Sequence, residues 1–96
     1  MVKKEIFEWI RSGRKTVQLR KGKAISGDQA VFQCGRNILR GKITRKYQNN
    51  LEAILQIIDF KKILPTASSA EDVKARMKQF YGTTDGTFTA YQFILS

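Results

Sequence analysis

The sequence predicts a small α+β domain in which a mixed sheet curls into a barrel and helices cap its ends. Three observations lead there. The 96 residues suffice for one domain with one modest hydrophobic core. Hydrophobic periodicity switches along the chain between the helical and the strand repeat. The resulting order is helix, three strands, two helices, strand, without the strand–helix–strand alternation that a doubly wound parallel sheet requires. No internal repeat, low-complexity stretch or linker divides residues 1–96.

Residues 4–12 place Ile6, Phe7, Trp9 and Ile10 on one side and Glu5, Glu8 and Arg11 on the other, which predicts an amphipathic helix. Gly13 is its stop. Over residues 15–20 the period becomes that of a strand: Val17 and Leu19 point one way, Thr16, Gln18 and Arg20 the other. Lys21-Gly22-Lys23 is a polar connection and Ser26-Gly27-Asp28 a turn. Residues 29–34 form a second strand, Gly35-Arg36-Asn37 a hairpin turn, and residues 38–47 a third strand. Strict alternation would put Leu39, Gly41, Ile43, Arg45 and Tyr47 on one face of it and Arg40, Lys42, Thr44 and Lys46 on the other.

Residues 50–58 read as a short helix with Leu51, Ile54, Leu55 and Ile58 inward, and Pro65 marks a loop. Ser68 with Glu71, and Ser69 with Asp72, have capping-box spacing. A helix then runs to about residue 80, with Val73, Met77, Phe80 and Tyr81 on its apolar face. Residues 87–95 are the most strand-like segment and are expected to close the sheet.

Charge and composition narrow the function classes. The net charge is +10, and it is one-sided. Residues 1–48 hold thirteen Lys or Arg and three acids, whereas residues 49–96 hold five of each. Such a distribution fits either a phosphate-binding face or a solvated basic surface. The chain has no histidine and one cysteine, Cys34. Neither a zinc site nor an internal disulfide is expected, and a reducing cytoplasm fits. Nothing calls for a cofactor, so any catalysis must use Lys, Asp, Glu, Thr, Ser or Tyr. The acids among the first residues argue against a secretory signal, and no apolar run is long enough for a membrane span.

Two clusters are candidates for binding. Ser12-Gly-Arg-Lys-Thr-Val-Gln-Leu-Arg20 is the denser one. Arg14 and Lys15 sit at a bend, and Thr16, Gln18 and Arg20 share a strand face. Arginine offers a planar fork for phosphate, lysine a mobile charge, and glutamine both a donor and an acceptor. The alternative is a polar outer face with a basic turn. Arg40, Lys42, Thr44 and Lys46 form the second cluster, which could track a phosphate backbone or protect an edge strand with charge. Among the aromatics, Trp9, Phe32 and Tyr81 lie on apolar faces and are expected in the core. Tyr47, beside Arg45 and Lys46, is the candidate for stacking on a base.

The segment Ile6-Phe7-x-x-Ile10-x-Ser12-Gly13-Arg14-Lys15-Thr16-Val17-x-Leu19-Arg20 resembles the signature of the ASCH domain family. Ile25-x-Gly27-Asp28, Tyr47 before the helix that begins near Leu51, Pro65, Phe80-Tyr81 and the last apolar strand follow in the family's order, so the resemblance spans nearly the whole chain. It implies a PUA-like β-barrel with a cleft in which the motif's Lys and Arg face outward, and RNA as the partner. Many members begin with a strand, for which only residues 1–4 remain here. Some bacterial members of this size are amidohydrolases for acetylated cytidine, and others are reported as ribonucleases. The amidohydrolase type uses a Lys, a Thr three residues on and a distant Glu. Carried across, the Lys is Lys15, the Thr position is Gln18, and the Glu falls near residues 65–69, which hold no carboxylate.

Two functions from different classes are therefore expected. The first is a cytoplasmic RNA-binding module acting in RNA metabolism or translation. Its RNA-binding residues would be Arg14, Lys15, Thr16, Gln18, Arg20, Arg40, Lys42, Arg45, Lys46 and Tyr47. The second is a small hydrolase of a modified nucleoside or of RNA. There Lys15 would be a base or an electrostatic stabiliser, assisted by Asp28 or Glu71, and a base role would need its pKa lowered, toward which Arg14 and Arg20 would push.

Overall fold

The computed structural model describes residues 2–96. It contains α1 (Lys4–Arg11), β1 (Val17–Lys21), β2 (Gln29–Cys34), β3 (Asn37–Asn50), α2 (Leu51–Ile57), α3 (Phe60–Ile63), α4 (Ala70–Tyr81) and β4 (Thr87–Leu95). The strands form one sheet in the order β1-β4-β3-β2. Every pairing is antiparallel, so the expected mixed sheet is not found. The reason lies in the helical excursion. It leaves β3 at Asn50 and re-enters at Thr87, and these two residues are paired. The three helices thus act as a very long hairpin loop, not as a crossover to the far end of the sheet.

The last strand does not close a barrel either. It inserts between β1 and β3, and the sheet remains a curled half-barrel with β1 and β2 as edges. Curling centres on β3, whose first part pairs with β2 and whose later part pairs with β4. Gly41 sits where the three strands meet. A Cβ there would lie 2.5 Å from the Ile94 carbonyl oxygen, so only glycine admits the close approach. A bulge follows between Ile43 and Arg45.

Both faces of the sheet are used. On one, Val17, Leu19, Phe88 and Ala90 pack against Leu51, Ile54, Val73 and Met77 of the later helices. On the other, Phe32 and Phe93, with ring centroids 4.8 Å apart, pack against Ile10 of α1. Helix α1 straddles the β1 edge, with Trp9 in the first core and Ile10 in the second. The N-terminal segment supplies one bond to the β2 edge, from the Val2 N–H to the Gln33 carbonyl at 2.9 Å. Of the expected strand fragment 1–4, Lys4 belongs to α1, Val2 and Lys3 form no strand, and Met1 lies outside the described residues.

Helix ends follow the sequence with two differences. The four-residue helix α3 stands where a loop was expected; its Asp59 cap accepts from the Lys61 N–H at 3.0 Å. Neither expected capping box forms before α4. Asp72 accepts from the Ser68 N–H at 2.7 Å, but Ser69 makes no side-chain cap bond. Among the described residues, no helix is long and apolar enough to cross a membrane, and no group of three or more Cys, Asp or Glu side chains could hold a metal ion.

Candidate ligand-binding cavity

The bend after α1 sets the geometry. Gly13 takes the left-handed conformation (φ 81°), and the Arg14 and Lys15 N–H groups both donate to the Trp9 carbonyl, at 2.9 and 3.0 Å. Thr16 is then clamped from two sides. Its N–H donates to the Lys62 carbonyl at 3.0 Å and its own carbonyl accepts from the Phe93 N–H at 3.1 Å. The Lys15 side chain is thereby turned inward, and the residue is only 7% exposed.

The Lys15 Nζ donates to the Val17 carbonyl at 2.8 Å and to the Ile63 carbonyl at 2.6 Å. An ammonium has three N–H donors, so one is left. Burial lowers the Lys15 pKa from 10.5 to about 8. The flanking cations expected to do this are not its cause: Arg14 is exposed, and desolvation alone accounts for the shift.

Lys15 forms part of the wall of a cavity of about 370 Å³ between α1, the β1 edge, α3 and α4. That is within the range of small-molecule sites. Trp9, Leu19, Ile63 and Met77 supply apolar lining, and Phe80 and Tyr81 add aromatic rings. The polar lining is cationic: Lys3, Lys15, Arg20 and Arg76, with the Gln18 amide. The Gln18 Oε1 is buried without a hydrogen-bond partner. No carboxylate is among the described residues that line the cavity. Helix α4 contributes through one face, since Val73, Arg76, Met77 and Phe80 recur at spacings of three and four.

The structure divides the ten expected contact residues. Lys15, Gln18 and Arg20 come together in the cavity. Arg14 and Thr16 do not line it. Tyr47 lies across the sheet, paired with Ala90 and packed against the larger core. The expected cationic stripe on β3 is also regrouped, because the extra residue Thr44 reverses the alternation. Arg40 and Lys42 share their face with Arg45, opposite Val31, Ile94 and Gln92. Lys46 falls on the reverse face, where its Nζ donates to the Ile25 carbonyl at 2.6 Å. With Tyr91, Gln48 and Thr89, it pins the loop of residues 22–28 over the sheet. Neither expected helper carboxylate reaches Lys15: Glu71 pairs with Lys74, and Asp28 sits in an exposed loop.

Sequence reasoning missed Arg76, the Ile63 carbonyl and the cavity role of Trp9, Phe80 and Tyr81. The spacing of Arg76 with Val73 and Phe80 was an available signal for the first. Nothing local signalled the carbonyl, because it depends on α3 meeting the bend after α1.

Neither a protein-family model nor a curated protein matches the sequence. The fold does match a solved one, the crystal structure of hypothetical protein PH0355. The two superpose with a TM-score of 0.80 over 99% of this chain and 94% of the other, at 19% identity. At that identity the likeness shows a shared fold and carries no residue roles.

Proposed function

We propose that the protein is an RNA-binding module of the ASCH type, on a PUA-like variant of the half-barrel, acting in cytoplasmic RNA metabolism or translation. One observation carries the proposal: the cavity has four cations, aromatic and aliphatic walls, and no acid among its described lining residues. An anionic ligand with a flat apolar part is what such a site complements, and a nucleotide has both. The base enters between Trp9, Leu19 and Met77. Lys15 gives its remaining N–H to a carbonyl or ring nitrogen of the base. The Gln18 Oε1 gains the donor it lacks from a base N–H, which removes a penalty of about 1–3 kcal/mol. Arg20, exposed near the mouth, and Arg76, half-buried, hold phosphates.

The test is binding of single-stranded RNA over a salt series. Affinity should fall with log[salt], with a slope of about −0.7 per phosphate contact. Arg20→Ala with Arg76→Ala should weaken binding roughly a hundredfold, since hydrogen bonds to charged groups contribute about 1.5–3 kcal/mol each. No affinity at low salt, or none lost in the double variant, would overturn the proposal.

A hydrolase is the second reading, and the lowered pKa of Lys15 in a cavity favours it. Against it, no carboxylate, serine or threonine lines the cavity beside Lys15 among the described residues, and the lining hydroxyl is the phenol of Tyr81. Incubation with acetylated cytidine and with RNA separates the two: turnover of either supports the enzyme, and no turnover of both leaves the binder.

A further inference from the structure

Tyr81 was expected in the core and Phe80 on the apolar face of the same helix, but they are 41% and 61% exposed. They touch one another at the end of α4, with ring centroids 6.5 Å apart. Tyr81 is anchored edge-on to Phe88 at 6.0 Å. Phe80 belongs to neither core cluster. Both rings line the cavity, as do Lys3, Arg20 and Arg76. Arg76 stands one helical turn before Phe80 on the same face of α4 and also lines an adjoining groove of about 270 Å³, with Thr66 and Gln79.

We infer that the site takes two consecutive unpaired nucleotides, one base inside the cavity and its neighbour stacked on Phe80. The inference rests on the RNA proposal above. A base that enters the cavity leaves its neighbour outside, at the rim. There it meets an exposed ring, and the linking phosphate meets Arg76, which borders both spaces. Base–aromatic stacking tolerates any base but needs one that is free of a duplex partner. The ligand class is therefore single-stranded RNA. A polyacidic peptide would use the same cations, yet aspartate and glutamate side chains offer no flat ring to Phe80.

Trp9 is the sole tryptophan, it is nearly buried, and it lines the cavity, so its fluorescence reports occupancy. The wild-type protein would be titrated with a mononucleotide, a dinucleotide, a single-stranded hexamer and a blunt RNA duplex. Stacking predicts that the dinucleotide binds about tenfold more tightly than the mononucleotide, and the duplex more weakly than the hexamer. In Phe80→Ala the dinucleotide and mononucleotide should bind within about twofold of each other, and Phe80→Trp should restore the gap. Because Phe80 is largely exposed, the alanine variant should fold, which circular dichroism would verify. Equal affinities in the wild type, a preserved gap in Phe80→Ala, or polyglutamate competing as well as the hexamer would each overturn the inference. If the hexamer binds and Arg20→Ala with Arg76→Ala weakens it while Phe80→Ala does not, only the stacking step fails. If no RNA binds, the RNA proposal fails with it.

Discussion

The two basic segments, Ser12–Arg20 and Arg40–Lys46, look alike in the sequence and differ in the fold. Each mixes cations with strand-forming residues. The first follows a helix end and runs along a sheet edge that α1, α3 and α4 enclose, so its charges line a concave space with aromatic walls. The second lies inside the sheet, and its Arg40, Lys42 and Arg45 stand on an open face beside exposed Val31 and Ile94. Charge alone attracts phosphate; enclosure adds desolvation and defined partners, which raise the worth of each contact.

The contrast depends most on Gly41. Gly41→Ala forces a side chain against the Ile94 carbonyl and should destabilise the protein by about 3 kcal/mol or more, measured by urea unfolding. A loss below about 1 kcal/mol would mean that the strands can part there, and the placement of Arg40 and Lys42 on the open part of the sheet would be less fixed than described.

The next effect belongs to Lys15. Its folded pKa is about 8, and its unfolded value is 10.5. Between these values the unfolded chain holds a proton that the folded chain has released, so stability from this group rises with pH. The gain is roughly 3 kcal/mol, complete above the unfolded pKa. A neutral amine still has two N–H donors for the Val17 and Ile63 carbonyls. Unfolding at pH 7.5 and 10.5 should show the rise in the wild type relative to Lys15→Met. Parallel curves for the two proteins would contradict it.

The same titration should reach the ligand. As pH passes 8 the cavity loses one positive charge, so affinity for a short single-stranded RNA should fall about fivefold from pH 7 to 9.5. Lys15→Met should bind weakly at both pH values, with no such fall.

The smallest effect is expected at Lys46, whose charge is directed to the loop backbone. Lys46→Ala should lower stability by about 1 kcal/mol and leave RNA affinity within about twofold. A large loss of binding would return Lys46 to the site.

Much of the fold was legible because it is written in local periodicity. Strands β2 and β4 match their expected limits, and α1 and α4 nearly do. Helix α3 was not legible because four residues are too few to show a period. The bulge at Thr44 was not legible because it arises from the pairing of β3 with β4, and it exchanged the faces of Arg45 and Lys46. In the cavity, Lys15, Gln18 and Arg20 came from one motif. Arg76 and Phe80 came from a helix 56 or more positions later in the chain, and only the long return through β4 brings them to the β1 edge.

One paired measurement tests the central contrast most directly. Arg20→Ala with Arg76→Ala and Arg40→Ala with Lys42→Ala remove the same charge, one pair from the cavity and one from the open face. Their affinities for a single-stranded RNA hexamer should differ widely: roughly a hundredfold loss for the first and less than about threefold for the second. Equal losses would mean that net charge alone drives binding, and a larger loss in the second would place the RNA on the open face of the sheet.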